Sequence, residues 1–149
     1  MKVSGLARSI VGIFLTLGTY AQPAGPQVNV FKSRTCGCCS KWVEHLRANG
    51  FTANVKDVDS TAVYRRQYGV PQKLQSCHTA MVEGYVIEGH VPAADIQRLL
   101  KARPAAKGLA VPGMPMGSPG MEGARTEPYS VMLFDSAGRA TVFQNHAVN

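Results

Sequence analysis

A mixed α/β domain is the fold class this chain predicts, and three observations predict it. Apolar runs of strand length alternate with helical patterns between residue 28 and about residue 103. Glycine or proline closes each helical pattern, at Asn49-Gly50, at Gly69 ahead of Pro71, and at Pro104. Paired short runs turn at Glu83-Gly84 and at Ser136-Ala137-Gly138, as hairpins do.

Each element follows in chain order. Residues 28–33, opening Val28-Asn29-Val30-Phe31, form the first predicted strand. A helix over 39–48 carries Trp42, Val43 and Leu46 on one face, which leaves His45 on the other and expected to be exposed. Residues 51–58 alternate like a second strand, and Asp59-Ser60 suits the cap of a helix running to about residue 68. Residues 79–83 and 85–88 form a hairpin. Pro92 fits a first helical turn, with Ile96, Leu99 and Leu100 as the buried stripe of that helix. The Pro/Gly-rich stretch 104–128 reads as irregular, and 129–135 with 139–144 as a closing hairpin. The order is β-α-β-α-β-β-α with an added C-terminal β-hairpin. It is similar to the order of the thioredoxin and glutaredoxin family, so a thioredoxin-like domain is expected over residues 28–144. Strand order alone does not fix a function.

Residues 1–21 have the layout of an export signal. Lys2 and Arg8 give a positive start, residues 10–17 a short apolar core, and Thr19-Tyr20-Ala21 a small-residue cleavage site, with Ala24 as the other candidate. The apolar core is too short to span a bilayer, so a periplasmic chain without a membrane anchor is expected. The formal charge of +7 is mild and scattered, with Arg65-Arg66 as the densest pair. It lacks the basic stripe with interleaved aromatics that nucleic-acid binding requires.

The chemistry concentrates at Cys36-Gly37-Cys38-Cys39, three thiols between a predicted strand and a predicted helix. The positive end of a helix dipole favours thiolates there. A thiolate is the nucleophile of disulfide exchange and also a soft ligand suited to copper(I) and zinc. An exported chain with four cysteines would ordinarily hold two structural disulfides, but adjacent Cys38 and Cys39 cannot easily serve two unstrained bridges.

The predicted topology gathers further donors. Strand three runs antiparallel to strand one and strand four antiparallel to strand three. Cys77 and His78 before strand three, and His90 after strand four, should therefore meet Cys36, Cys38 and Cys39 at one pole of the sheet. Cys77 has an alternative as a disulfide partner, and His78 and His90 as ordinary loop histidines; His146, in the tail, is uninformative. Met114, Met116 and Met121 lie in a Gly/Pro-rich loop where burial explains them poorly. Thioether sulfur suits copper(I) and has little use for zinc. Reach is adequate: the third helix leads ~15 Å away from the pole, and residues 104–113 could span ~33 Å if extended.

Four segments carry a resemblance. They are 31–39 with Cys36-Gly37-Cys38-Cys39, 76–80 with Cys77-His78-Thr79, 84–93 with Gly89-His90-Val91-Pro92, and 108–122 with Gly113-Met114-Pro115-Met116 and Met121. Taken in order, they resemble the CopG-type copper-resistance proteins of the bacterial envelope. The resemblance covers roughly residues 28–143. It implies a thioredoxin-like fold, export to the periplasm, several copper ions bound by Cys36, Cys38, Cys39 and Cys77, and a part in Cu(I)/Cu(II) redox handling.

Three readings follow. In the first, the chain holds Cu(I) as a multi-copper thiolate cluster in copper resistance, with copper ions and other periplasmic copper-handling proteins as partners. Its metal site comprises Cys36, Cys38, Cys39, Cys77, His78, His90, Met114, Met116 and Met121. In the second, Cys36 and Cys39 form the C-x-x-C pair of a thiol-disulfide oxidoreductase, though Cys38 would compete and no proline directly precedes strand three. In the third, the thiols close around a structural zinc and the methionines have no role. Copper alone uses both unusual features of the sequence. The oligomeric state is left open.

Overall fold

The computed structural model describes residues 25–148. The export signal expected over 1–21 lies outside the described residues. The described residues form seven strands and three helices in the order β1 (Gln27–Lys32), α1 (Gly37–Ala48), β2 (Thr52–Asp57), α2 (Thr61–Gln67), β3 (Thr79–Val82), β4 (Tyr85–Glu88), α3 (Ala93–Ala102), β5 (Gly108–Ala110), β6 (Tyr129–Phe134) and β7 (Ala140–His146). A short 3-10 turn, Gln72–Leu74, precedes β3. One mixed sheet results, ordered β2-β1-β3-β4-β5-β6-β7.

Sequence periodicity explains most of this. In β1, Val28, Val30 and Lys32 are buried and alternate with Gln27, Asn29 and Phe31. The even positions face α1 and α3, whose Trp42, Val43, Leu46, Ile96 and Leu99 form the larger core with Ala80, Ile87, Leu109 and Val131. The opposite face carries a smaller core of Val70, Leu74, Val86, Ala110 and Phe134 beneath α2 and the 3-10 turn. All four β4 residues are buried, because β4 lies inside the sheet with both faces covered. The β3–β4 turn falls at Glu83-Gly84, both at positive φ (44° and 89°), the conformation a two-residue hairpin loop favours.

The stretch 104–128 is not wholly irregular. Gly108–Ala110 forms β5, parallel to β4 and antiparallel to β6. Three residues are too few to show periodicity, and this strand owes its existence to a neighbour on each side. The correction alters the architecture: the C-terminal hairpin does not stand apart but continues the sheet through β5. It also changes how the methionine segment returns. Because β5 runs parallel to β4, with Ala110 opposite Glu88, the strand itself carries the chain back to the pole where β4 ends. Among the described residues, no helix is long and apolar enough to cross a membrane.

Candidate metal centre

Four chain points meet at one end of the sheet. β1 and β3 are antiparallel with Phe31 opposite Thr79, and β3 and β4 with Thr79 opposite Glu88. The end of β1, the start of β3 and the ends of β4 and β5 are therefore neighbours. Cys36, Cys38 and Cys39 follow the first, Cys77 and His78 precede the second, and His90 follows the third.

The donor atoms converge in two overlapping groups. The sulfurs of Cys36, Cys38, Cys39 and Cys77 all lie within 4.8 Å of one another, and so do the donor atoms of Cys77, His78 and His90. Cys77 belongs to both. Cys36 is the N-cap of α1 and its carbonyl accepts from Ser40 N–H, so the helix begins inside the cysteine motif rather than at Cys39 as the sequence pattern implied. Cys36 and Cys39 are joined as a disulfide with their Cα atoms 5.4 Å apart. Cys38 and Cys77 are free thiols, and Cys38 Sγ lies 3.5 Å from Cys36 Sγ. The disulfide alternative for Cys77 is thus not the pairing adopted.

His78 and His90 line the inner side. Cys77 Sγ is 3.0 Å from His90 Nε2 and 3.3 Å from His78 Nδ1. Both rings are fully buried. Trp42 packs on His78 with ring centroids 4.3 Å apart, and its indole N–H donates to Val91 O at 2.8 Å. Burial, reinforced by neighbouring His90, pushes His78 down to about 3. Burial also lowers His90. Neutral imidazole is the form that ligates a metal. Burial and then the adjacent Cys38 push the Cys77 thiol up to about 12, so it is protonated at neutral pH. His78 Nε2 has no hydrogen-bond partner among the described residues. A buried polar atom left alone fits a residue retained for its other nitrogen, the one facing Cys77.

The methionine segment covers this pole. Gly113 N–H donates to Gln75 O at 3.2 Å, and Ser76 Oγ donates to Gly113 O. Further along, His90 Nδ1 donates to Pro119 O at 2.7 Å. Gly120 sits at φ +88°, and a Cβ there would lie 2.6 Å from Cys38 O and 2.9 Å from Trp42 N. Only glycine permits so close an approach. Glu122 accepts from Gly120 N–H at 2.8 Å and fixes the turn. The loop therefore presses on the start of α1 and on His90. Met114 is 51% exposed at the rim, while Met116 and Met121 are partly buried.

Some contributors were not foreseen. His45, expected to be exposed, is half-buried, and its Nε2 accepts from Ala93 N–H at 3.0 Å at the start of α3. His146, uninformative in the sequence, bonds buried Asp95 at 2.7 Å and ties β7 to α3. Neither joins the donor groups. Glu88, fully buried beside Cys77, gave no signal beyond being an acid in an apolar strand.

Fold and site define the class: a mixed α/β sheet protein bearing a thiol–imidazole donor cluster at one pole. Two solved structures, both named Copper resistance protein copG (Form 1 and Form 2), match with TM-scores of 0.77 and 0.78. Each is 41% identical and covers 82% of this chain and 98% of its own. The family described as "Protein of unknown function, DUF411" matches residues 74–121, the segment from just before Cys77 to Met121. A comparison with curated proteins gave no match. This chain belongs to the CopG copper-resistance protein family.

Proposed function

We propose that the chain binds copper as Cu(I), in a multi-copper thiolate cluster, within copper resistance in the periplasm. One observation carries this reading: four sulfurs and two neutral imidazoles converge around Cys77 beneath a methionine loop, in a member of a copper-resistance family. Copper is the cargo. Once exchange with an external dithiol, itself oxidised to a disulfide, has reduced the Cys36–Cys39 bond, Cys36, Cys38, Cys39 and Cys77 supply thiolates that bridge ions. His78 and His90 supply neutral nitrogen, and Met114, Met116 and Met121 supply thioethers from the loop. Soft sulfur donors favour Cu(I), and a single ion would leave donors idle. Residues 1–21 act as the export signal and 28–144 as the copper-binding domain. The succession of β1 through α3 supports a thioredoxin-like core for that domain. Copper ions and other periplasmic copper-handling proteins are its partners, with a role in Cu(I)/Cu(II) redox handling.

A second reading has one specific observation in its favour, the Cys36–Cys39 disulfide at the start of α1. In it, Cys36 and Cys39 exchange disulfides with a substrate. Against it, Cys38 stands 3.5 Å from Cys36 as a competing thiol, and the loop has no task. An anaerobic Cu(I) titration of the reduced chain against a chromogenic chelator separates the two. More than one tightly held copper per chain, with the thiols protected, supports the copper reading. No competition with the chelator, together with fast reduction of a disulfide substrate, overturns it.

A further inference from the structure

Glu88 is fully buried at the end of β4, where Tyr85, Val86 and Ile87 are apolar. A buried carboxylate is costly unless its oxygens are satisfied, and an aliphatic residue of similar volume is often as stable or more so. Its oxygens are satisfied in an informative way. Oε1 accepts from Ser76 N–H at 2.7 Å and Oε2 from Thr79 Oγ1 at 2.6 Å. One carboxylate thus grips both ends of the segment that carries Cys77 and His78. Arg65 of α2 stands 3.7 Å from Glu88 Oε1 and donates to Ser76 O. Both main-chain groups of Ser76 are therefore held by side chains. Ser76 Oγ in turn donates to Gly113 O, next to Met114. Gly89 makes room for this: a Cβ there would lie 2.5 Å from Ser76 Oγ.

We propose that Glu88, braced by Arg65, is the positioning residue for Cys77, fixing through Ser76 both the thiol shared by the two donor groups and the neighbouring anchor of the methionine loop. This rests on the copper reading for its purpose, though not for its geometry. Outer partners of metal ligands commonly govern affinity in this manner, by orienting a ligand they do not replace.

The test uses the full chain, metal-free, with Cys36–Cys39 oxidised so that Cys38 and Cys77 are the reactive thiols. Alkylation by iodoacetamide is followed at each cysteine by peptide mass spectrometry. Glu88→Gln is expected to raise the Cys77 rate about tenfold and leave Cys38 unchanged, on the scale that outer partners of a ligand exert. An unchanged Cys77 rate, or an equal rise at both thiols, overturns the proposal, since the latter marks general loosening. Arg65→Gln is read by the same ratio, and it decides the matter if Glu88→Gln does not fold. In the reduced chain, Glu88→Gln should cost about tenfold in Cu(I) affinity. In a Cys77→Ser background only the few-fold share carried by the methionine loop should remain, whereas a full tenfold loss there would mean Glu88 acts elsewhere. If the native chain takes up no Cu(I), the copper reading fails, while the alkylation ratio still decides the role of Glu88.

Discussion

Cys36, Cys38 and Cys39 hang from a single turn, whereas Cys77, His78 and His90 come from two strand ends that meet only through the sheet. The first, outer wall of the donor cluster is local: a strand stops, α1 starts, and three sulfurs fall within a few ångströms because the chain between them is short. The second wall needs β3 and β4 in register, a buried carboxylate beneath it, and Trp42 packed at a tilt against its His78 ring. The difference teaches where robustness lies. The outer wall is set by one short stretch of chain, while the inner wall depends on distant strands as well as on its donors. Its donors are also electrostatically distinct, with neutral imidazoles and a thiol that burial keeps protonated.

The largest effect is expected from Cys77→Ser, which removes the sulfur common to both groups. Cu(I) affinity should fall by about a hundredfold or more, measured by chelator competition, since loss of even an outer partner can cost that much. Cys38→Ser should follow, breaking the sulfur group while leaving the Cys36–Cys39 pair able to form its disulfide. Retained copper capacity in that variant would shift the balance toward disulfide exchange.

A change of pH reaches the inner wall through Cys77, while each outer thiol that loads as a thiolate adds a proton of its own. Because the folded Cys77 thiol is held protonated well above neutrality, loading copper there releases a proton. The affinity should therefore rise with pH, by about tenfold per unit for each proton displaced. Cys77→Ser should remove one proton from that slope between pH 6 and 8, read by chelator competition, and an unchanged slope would break the contrast between the walls. Gly120→Ala tests what joins them. The added methyl would force the loop off Cys38 O and His90, costing about tenfold in Cu(I) affinity, as a misplaced outer partner does. The melting temperature should fall as well, because the methyl meets α1 backbone and the residue sits at φ +88°. Emission from Trp42, the single tryptophan, would report the loss of copper contact at His78. Replacing Met114, Met116 and Met121 together should have the smallest effect, a loss of a few-fold for Cu(I) and none for zinc, in keeping with neutral soft donors.

Much of the outer wall was legible because its information is contiguous. Cys36-Gly37-Cys38-Cys39 between an alternating run and a helical one needs no knowledge of the rest of the chain. The meeting of Cys77, His78 and His90 with those thiols was also readable, since antiparallel strand directions determine which ends coincide. β5 was not, because a three-residue strand has no period of its own. Nor was the purpose of Glu88: its partners, Ser76 and Thr79, are 12 and 9 residues away, and only the finished hairpin brings them together. His45 was misjudged because helix periodicity tells which side faces the sheet, not whether another helix begins beside the opposite side. The loop presents a related difficulty. Its contacts run through backbone groups of Gly113, Pro119 and Gly120, which side-chain identity does not advertise.

Since β5 and β6 are antiparallel neighbours, everything between Ala110 and Tyr129 is topologically one oversized hairpin turn. Both its ends are clamped by the same sheet, so its length is nearly free to vary: doubling a flexible loop costs only about 0.6 kcal/mol in closure entropy. The loop can therefore be lengthened, shortened or rewritten beyond its contacts at Gly113, Pro119 and Gly120 without disturbing the strands that lead to the donors. An engineer seeking a different soft metal would begin with that turn, keeping Pro119 and Gly120, which bear on His90 and Cys38.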